Sequence, residues 1–481
     1  MNTAAHPAIS PVPGASAPGS TAVAPPPSAP AEYLLPVATG ARLALARGWL
    51  VLGLAALVGS GLFSVLLVLA RTPGVNAHLP GVDFFRTALV VHVDLSVLVW
   101  FFAIAGLLWS LNLRPRLTGL GWFTLGLAGA GTLVMAAAPF VWPGVPVMAN
   151  YVPVLESPVF LSGLATFGAA AALLVLQALA SPPDLQRLDG AAALHGGLYA
   201  AAVAAAVAGV ALAWSLAEVP TSLDSRTYWE ILFWGGGHAL QFTWTLLMLV
   251  GWLWLAQAAG ASVPLSARVA LLLFLIAAVA VFVTPVAYLV HPVLSVEHRA
   301  LHTWGMRVGG GLAILPVAMA VVLALLHQLR HGACRAQARP LRAALAASVL
   351  LFAAGGVIGT FIDGSNVKIP AHYHGCIVGV TLALMGLVFH LLPRLGWRAP
   401  QGRLAVAQPW LYALGQLMHI VGLVWSGGYG VQRKVAGAEQ VLRSPGEVFG
   451  MGLMGAGGAV AIVGGLLFVV IVWRAMRAGL R

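Results

Sequence analysis

PAHYHGCIVGVTLALMGLVFHLLPR, residues Pro370–Arg394, decides how the rest of the chain is read. From Gly375 to Phe389 it carries no charged side chain, and as a helix it is long enough to cross a hydrocarbon layer of ~30 Å. Its opening turn holds two histidines, His372 and His374, separated only by Tyr373. Two positions on an α-helix differ by about 200° of rotation. The two imidazoles therefore leave the helix on nearly opposite sides and cannot easily share one metal, although each can hold a different one.

Working outward, eleven further apolar stretches of similar length appear, at roughly 48–70, 86–111, 119–142, 157–180, 190–217, 228–257, 266–290, 299–327, 341–364, 406–427 and 448–474. The fold class expected is all-α: a polytopic membrane protein of twelve transmembrane helices in one bundle. Composition agrees, because 60% of residues are apolar and only 8% are charged, which no soluble core sustains throughout. A pI near 10.6 would suggest nucleic-acid binding in a soluble chain. Here the basic residues cluster in short loops between spans, so the positive-inside rule explains them and no nucleic-acid partner is expected. With the N-terminus in the cytoplasm, sixteen of the 25 basic residues fall on the inner side, eight on the outer side, and Arg307 within a span. Both termini are expected to be cytoplasmic. Residues 1–40 are rich in Ala, Pro, Ser and Gly and read as a disordered tail, leaving 41–481 as the membrane domain. Cys334 and Cys376 supply neither a disulfide framework nor a thiolate metal motif.

Ionisable residues inside a bilayer are costly and mark function by default. Projected onto this topology, His92, His238, His291, His302, His372 and His374 lie on five helices at one depth, in the outer third of the membrane. Scattered core histidines would not be expected to share a layer. Imidazole is a common axial haem ligand, and a helix held between two haems needs the His372/His374 spacing. The same pair also reads as polar residues at a helix start near the headgroups. One interior histidine on each of several neighbouring helices is how bundles build metal sites, which makes His238 and His291 the next candidates. Gln241, three residues from His238 on the same face, and His302, Glu297 and His298 are additional ones. Glu297 and His298 read equally as solvated loop residues. His419, near the outer end of its helix, reads as a hydrogen-bonded core residue.

The order of these residues resembles the catalytic subunit I of the haem–copper oxidase superfamily, over roughly residues 45–475. The strings that carry the likeness are Arg86-Thr-Ala-Leu-Val-Val-His92, Gly235-Gly-Gly-His238 and Ala371-His-Tyr-His-Gly375 continuing to His390-Leu-Leu-Pro393-Arg394. The last looks most like the C-family oxidases and the nitric oxide reductases. The resemblance implies that His92 and His374 are axial ligands of a low-spin haem and that His372 is the proximal ligand of a high-spin haem. It implies that His238 and His291 bind a second metal, copper or non-haem iron, and that Arg433 and Lys434 meet haem propionates. A plasma-membrane reductase of a bacterium, reducing O2 or NO, follows as the expected function. Its electrons would come from a c-type cytochrome or another outer-side donor, with small partner subunits.

The sequence also departs from that pattern. Where two consecutive histidines are usual, it has His291-Pro292, and Phe242 stands where oxidases place a tyrosine and nitric oxide reductases a glutamate. Tyr288, three residues before His291, is the tyrosine able to reach the site. The inner segments Val269–Phe282 and Ile314–Leu326 lack lysine, threonine and tyrosine, and the carboxylates gather outward. Protons are therefore expected to enter from the outer side, without pumping. The reading from a different class is a non-catalytic haem protein, an electron conduit or a gas or haem sensor, in which the His238 and His291 region holds no redox metal.

Overall fold

The computed structural model describes residue 1 and residues 32–75, 82–332, 335–362, 366–435 and 440–479. Helices fall on the stretches expected from apolarity. They are α1 (Ala41–Arg71), α2 (Val82–Val93) running through a π-helical turn (Asp94–Val99) into α3 (Trp100–Leu111), α4 (Thr118–Val141), α5 (Pro158–Leu179) and α6 (Gly190–Glu218). Then come α7 (Ser225–Leu232) and α8 (Trp234–Ala258), α9 (Ala267–Ala280) and α10 (Val283–Val290), and α11 (Val296–His331). The chain closes with α12 (Arg339–Thr360), α13 (Lys368–Leu391), α14 (Arg403–Gly428) and α15 (Pro445–Gly479).

Eleven of the described helical stretches are long and apolar enough to cross a membrane, one fewer than the twelve expected. The difference is α14. Its 26 residues reach far enough, about 39 Å at ~1.5 Å per residue, but it carries Gln408, Gln416 and His419 among its apolar positions. Glycine seats it against α15. A Cβ at Gly415 would lie 2.9 Å from the Gly457 carbonyl oxygen, and one at Gly422 would lie 2.5 Å from that of Gly450. One at Gly464 would lie 2.6 Å from the Tyr412 nitrogen. The seven-residue spacing of Gly415/Gly422 and Gly450/Gly457/Gly464 keeps one bare stripe facing its partner, so the two backbones touch directly.

The most enclosed spans are α8 and α13, the two that carry His238 and the His372/His374 pair. Leu133, Phe140, Leu289, Leu315 and Leu466 point out of the bundle, as a surface solvated by lipid requires. Two features lie outside the helical expectation. Between α4 and α5 the connection forms a hairpin, β1 (Val145–Val147) antiparallel to β2 (Val154–Glu156), with Val147 opposite Val154. Before α1, the end of the expected tail lies against the bundle, with Tyr33 and Leu35 buried and the Tyr33 hydroxyl donating to the Leu265 carbonyl at 2.7 Å. His6, His78, Cys334 and Asp363 lie outside the described residues.

Candidate functional site

His238 is buried one turn into α8, and its surroundings explain the three glycines before it. A Cβ on Gly235 would stand 2.9 Å from Cε2 of Tyr288, and one on Gly236 3.2 Å from the Ala208 carbonyl oxygen of α6. One on Gly237 would overlap Cγ of Tyr151. Each missing side chain is thus the seat of a neighbour. Tyr288 enters from α10 and hydrogen-bonds Ser215 at 2.6 Å. Tyr151 enters from the hairpin turn and places its hydroxyl 2.9 Å from Nε2 of His238. Beside His238 stand two buried histidines of α11. His302 has its ring centroid 5.7 Å from that of His238, and His298 lies 4.6 Å from His302. Tyr288 meets both edge-on, at 4.6 Å and 5.8 Å.

A second cluster gathers around α13. His372 and His374 leave the helix on different sides, as their spacing requires. His372 turns to α12, where its Nδ1 lies 2.7 Å from the Gly355 carbonyl and Gly359 leaves room for the ring. His374 turns to α14 and lies 4.9 Å from His419, ring to ring. His374 also interacts electrostatically with His92 of α2 and with Arg71 at the end of α1. Nε and Nη2 of Arg71 are buried without a hydrogen-bond partner.

The connections before α5 and α15 join these clusters. Arg433 donates to Oδ1 of Asn150 at 3.1 Å, and Lys434 donates to the Met148 carbonyl and to Asn150. Asn150 is held in turn by Glu230 through its backbone N–H, at 3.0 Å, and its side-chain amide. The basic pair therefore grips the residue next to Tyr151. Lys434 takes a left-handed backbone, φ 63°, uncommon for a side chain with a Cβ. Burial first, and then the neighbouring Arg433, lower its pKa to about 8.

One device recurs at six of these histidines. Nδ1 of His92 faces the Ser60 carbonyl at 3.0 Å, that of His238 the Trp234 carbonyl at 2.8 Å, and that of His302 the His298 carbonyl at 2.8 Å. His298, His372 and His419 do the same with Ala287, Gly355 and Met454. A carbonyl oxygen can only accept, so Nδ1 carries the proton and Nε2 keeps its lone pair. This is the tautomer in which metal-ligating histidines are usually held, with the other ring nitrogen tied to a carbonyl. Among the described residues the buried Nε2 of His302 has no hydrogen-bond partner, and neither do the two Arg71 nitrogens. The donor chemistry thus fits haem iron and haem carboxylates: open imidazole lone pairs, and a buried guanidinium that needs an anion.

The sequence-derived candidates divide as follows. His238 meets the α11 histidines, while His92, His374 and Arg71 lie together. His372, on α13, faces α12 apart from both groups, with Cys376 3.9 Å from its Nδ1. His291 caps the C-terminus of α10, half-buried, and has no ring contact with His238 among the described residues. Gln241 is half-buried below His238, and no hydrogen bond of its side chain is found among them. Phe242 packs toward Gly309 of α11. His419, read from sequence as a core residue, does bond a backbone carbonyl, but it also flanks His374. Tyr151 and Arg71 were not singled out. The glycine before His238 was the signal for the first, and an arginine closing the first apolar span was the signal for the second.

The fold and these residues define an all-helical polytopic membrane protein with histidine lone pairs arrayed between its helices. Residues 44–467 match the family described as cytochrome c and quinol oxidase polypeptide I. The chain belongs to that family, subunit I of the haem–copper oxidase superfamily, whose members are oxidoreductases. It is similar to an uncharacterised protein of Rickettsia prowazekii, 28% identical over 90% of this chain and 96% of the relative. It is also similar to cytochrome c oxidase subunit 1 of Thermus thermophilus, 27% identical over 88% of this chain and 82% of the relative. In fold it resembles a haem–copper terminal oxidase solved by cryo-electron microscopy as a dimer. The TM-score is 0.65 at 18% identity, with 92% of this chain and 84% of the other covered.

Proposed function

We propose that this chain is the catalytic subunit of a terminal respiratory reductase that passes electrons through a low-spin haem to a high-spin haem paired with a second metal. His92 and His374 would hold the low-spin haem, His372 the high-spin haem, and His238 the second metal. When bound, these groups would supply electron delivery and a two-sided site for a diatomic substrate, O2 or NO. The protein's own part is to present lone pairs and to balance charge. Carbonyl-anchored Nδ1 atoms hold Nε2 of His92, His238 and His372 as donors, and Arg71, Arg433 and Lys434 offer cations for haem carboxylates. The observation that carries the reading is this repeated tautomer, set at histidines of α2, α8, α11, α13 and α14.

The inner parts of α9 and α11 lack side chains for a proton path, and Glu156, Glu218 and Glu230 gather at the end where the site lies. This supports uptake of protons from the outer side without pumping. Proteoliposomes that acidify their outside during turnover would overturn it. The electron donor would be a c-type cytochrome or another outer-side protein, with small partner subunits, in a bacterial plasma membrane with both termini cytoplasmic.

One observation favours a second reading, a non-catalytic electron conduit or sensor. Among the described residues no three of the His, Cys, Asp and Glu side chains are grouped to hold a metal ion. The carbon monoxide difference spectrum of the dithionite-reduced protein, with haem stoichiometry, separates the two. Two haems of which one binds carbon monoxide support the reductase. Two haems that both ignore it support the conduit, and no haem sinks both.

A further inference from the structure

The missing partner of the second metal has a structural replacement. His238 and His302 are the two histidines of this region that meet across α8 and α11, and both are prepared in the same way. Each donates Nδ1–H to the carbonyl four residues earlier on its own helix, Trp234 and His298. Each therefore turns Nε2 away from its backbone as a lone pair. Their centroids are 5.7 Å apart, a spacing that one ion can bridge with nitrogen–metal bonds of about 2.0–2.1 Å. Nε2 of His302 is buried and unpartnered. Nε2 of His238 faces the Tyr151 hydroxyl at 2.9 Å.

We propose that Tyr151 is the third ligand of the second metal, taking the part of one of the two consecutive histidines usual in the family, so that the ion is held by His238, His302 and Tyr151. The inference rests on the haem-reductase reading above. His291 does not fill the place: it ends α10, is followed by Pro292, and among the described residues no ring contact joins it to His238. Tyr151 is built into its position from three sides. Gly237 leaves room for the base of its ring, and Trp234 packs edge-on at 6.0 Å. Its neighbour Asn150 is clamped between Glu230 and the Arg433–Lys434 pair. A tyrosine also answers the absence of a three-member His, Cys, Asp and Glu group, since the third donor belongs to none of those types. On metal binding the phenol proton is released to solvent, as deprotonated ligands require, and no electron moves.

The test compares the purified, haem-loaded protein with Tyr151→Phe, His302→Ala and His291→Ala. Metal per haem is read by mass spectrometry, and tyrosinate–metal bands by resonance Raman. The expected wild type has one non-haem transition metal per two haems, with tyrosinate bands. Tyr151→Phe and His302→Ala should lower that metal at least about tenfold and leave the low-spin haem spectrum unchanged, while His291→Ala retains it. Full metal in Tyr151→Phe, a metal-loaded wild type without tyrosinate bands, or two haems with no third metal would overturn the assignment of Tyr151. The first two outcomes leave the reductase reading standing, whereas two haems without a third metal, or no haem at all, would overturn that reading as well.

Discussion

The seat of Tyr151 on Gly237 can be tested by filling it. In Gly237→Ala the added methyl would overlap Cγ of Tyr151 and stand 2.5 Å from its Cβ and Cδ1. These atoms are the root of the side chain, so a rotamer change does not relieve the clash and the ring or its backbone must leave. Forcing a methyl into a filled site costs about 1–3 kcal/mol, and the lost Tyr151–His238 hydrogen bond adds about 1 kcal/mol. Against this, alanine in a helix is favoured over glycine by about 1 kcal/mol. The net expectation is a loss of about 1–3 kcal/mol. In a Tyr151→Gly background, which also removes Cβ, the clash and the bond are both gone, and the same substitution should be neutral or stabilising by up to about 1 kcal/mol. The coupling in a double-mutant cycle should therefore be about 2–4 kcal/mol. It is measured by denaturant unfolding of the four proteins in detergent. If Gly237→Ala costs the same with and without Tyr151, the glycine does not exist to admit the phenol, and the argument fails.

Three further outcomes follow from other contacts. His92→Ala should abolish the low-spin haem signature, whereas His372→Ala should abolish carbon monoxide binding and spare that signature; visible spectra of the two variants exchanging these effects would refute the assignment. Gly422→Ala, whose methyl would sit 2.5 Å from the Gly450 carbonyl oxygen, should destabilise by about 1–3 kcal/mol. Gly428→Ala, with nothing within 4 Å, is the control, and equal melting temperatures for the two would remove the bare-stripe account of α14 and α15. Lys434, with its pKa lowered to about 8 by burial and Arg433, is charged below that pH and a neutral nucleophile above it. Its acylation rate in haem-free protein, followed by peptide mass spectrometry, should inflect near pH 8. An inflection at the usual lysine value of about 10.4 would contradict this, and bound haem carboxylates should move it upward.

The helices were legible without coordinates because a bilayer demands about twenty apolar residues in a row, and that is a local property of the chain. So was the relation between His372 and His374, since helical rotation alone sends them to different sides. The number of apolar spans was less so: α14 has the length of a crossing, yet its Gln408, Gln416 and His419 set it apart from the other eleven. Its place depends on glycines of α15 found 28 residues or more along the chain, such as Gly450 against Gly422.

The amino-acid sequence by itself determined that this is a membrane bundle of the haem–copper oxidase type. Which imidazoles meet was decided by tertiary packing. The α10–α11 turn leaves His291 at a helix end and brings His298 and His302 inward, and the hairpin between α4 and α5 carries Tyr151 to His238 across 87 residues of chain. Periodicity records which face of a helix is buried. It holds no record of which loop comes to lie on a glycine, because that contact is made only when separate elements close against one another.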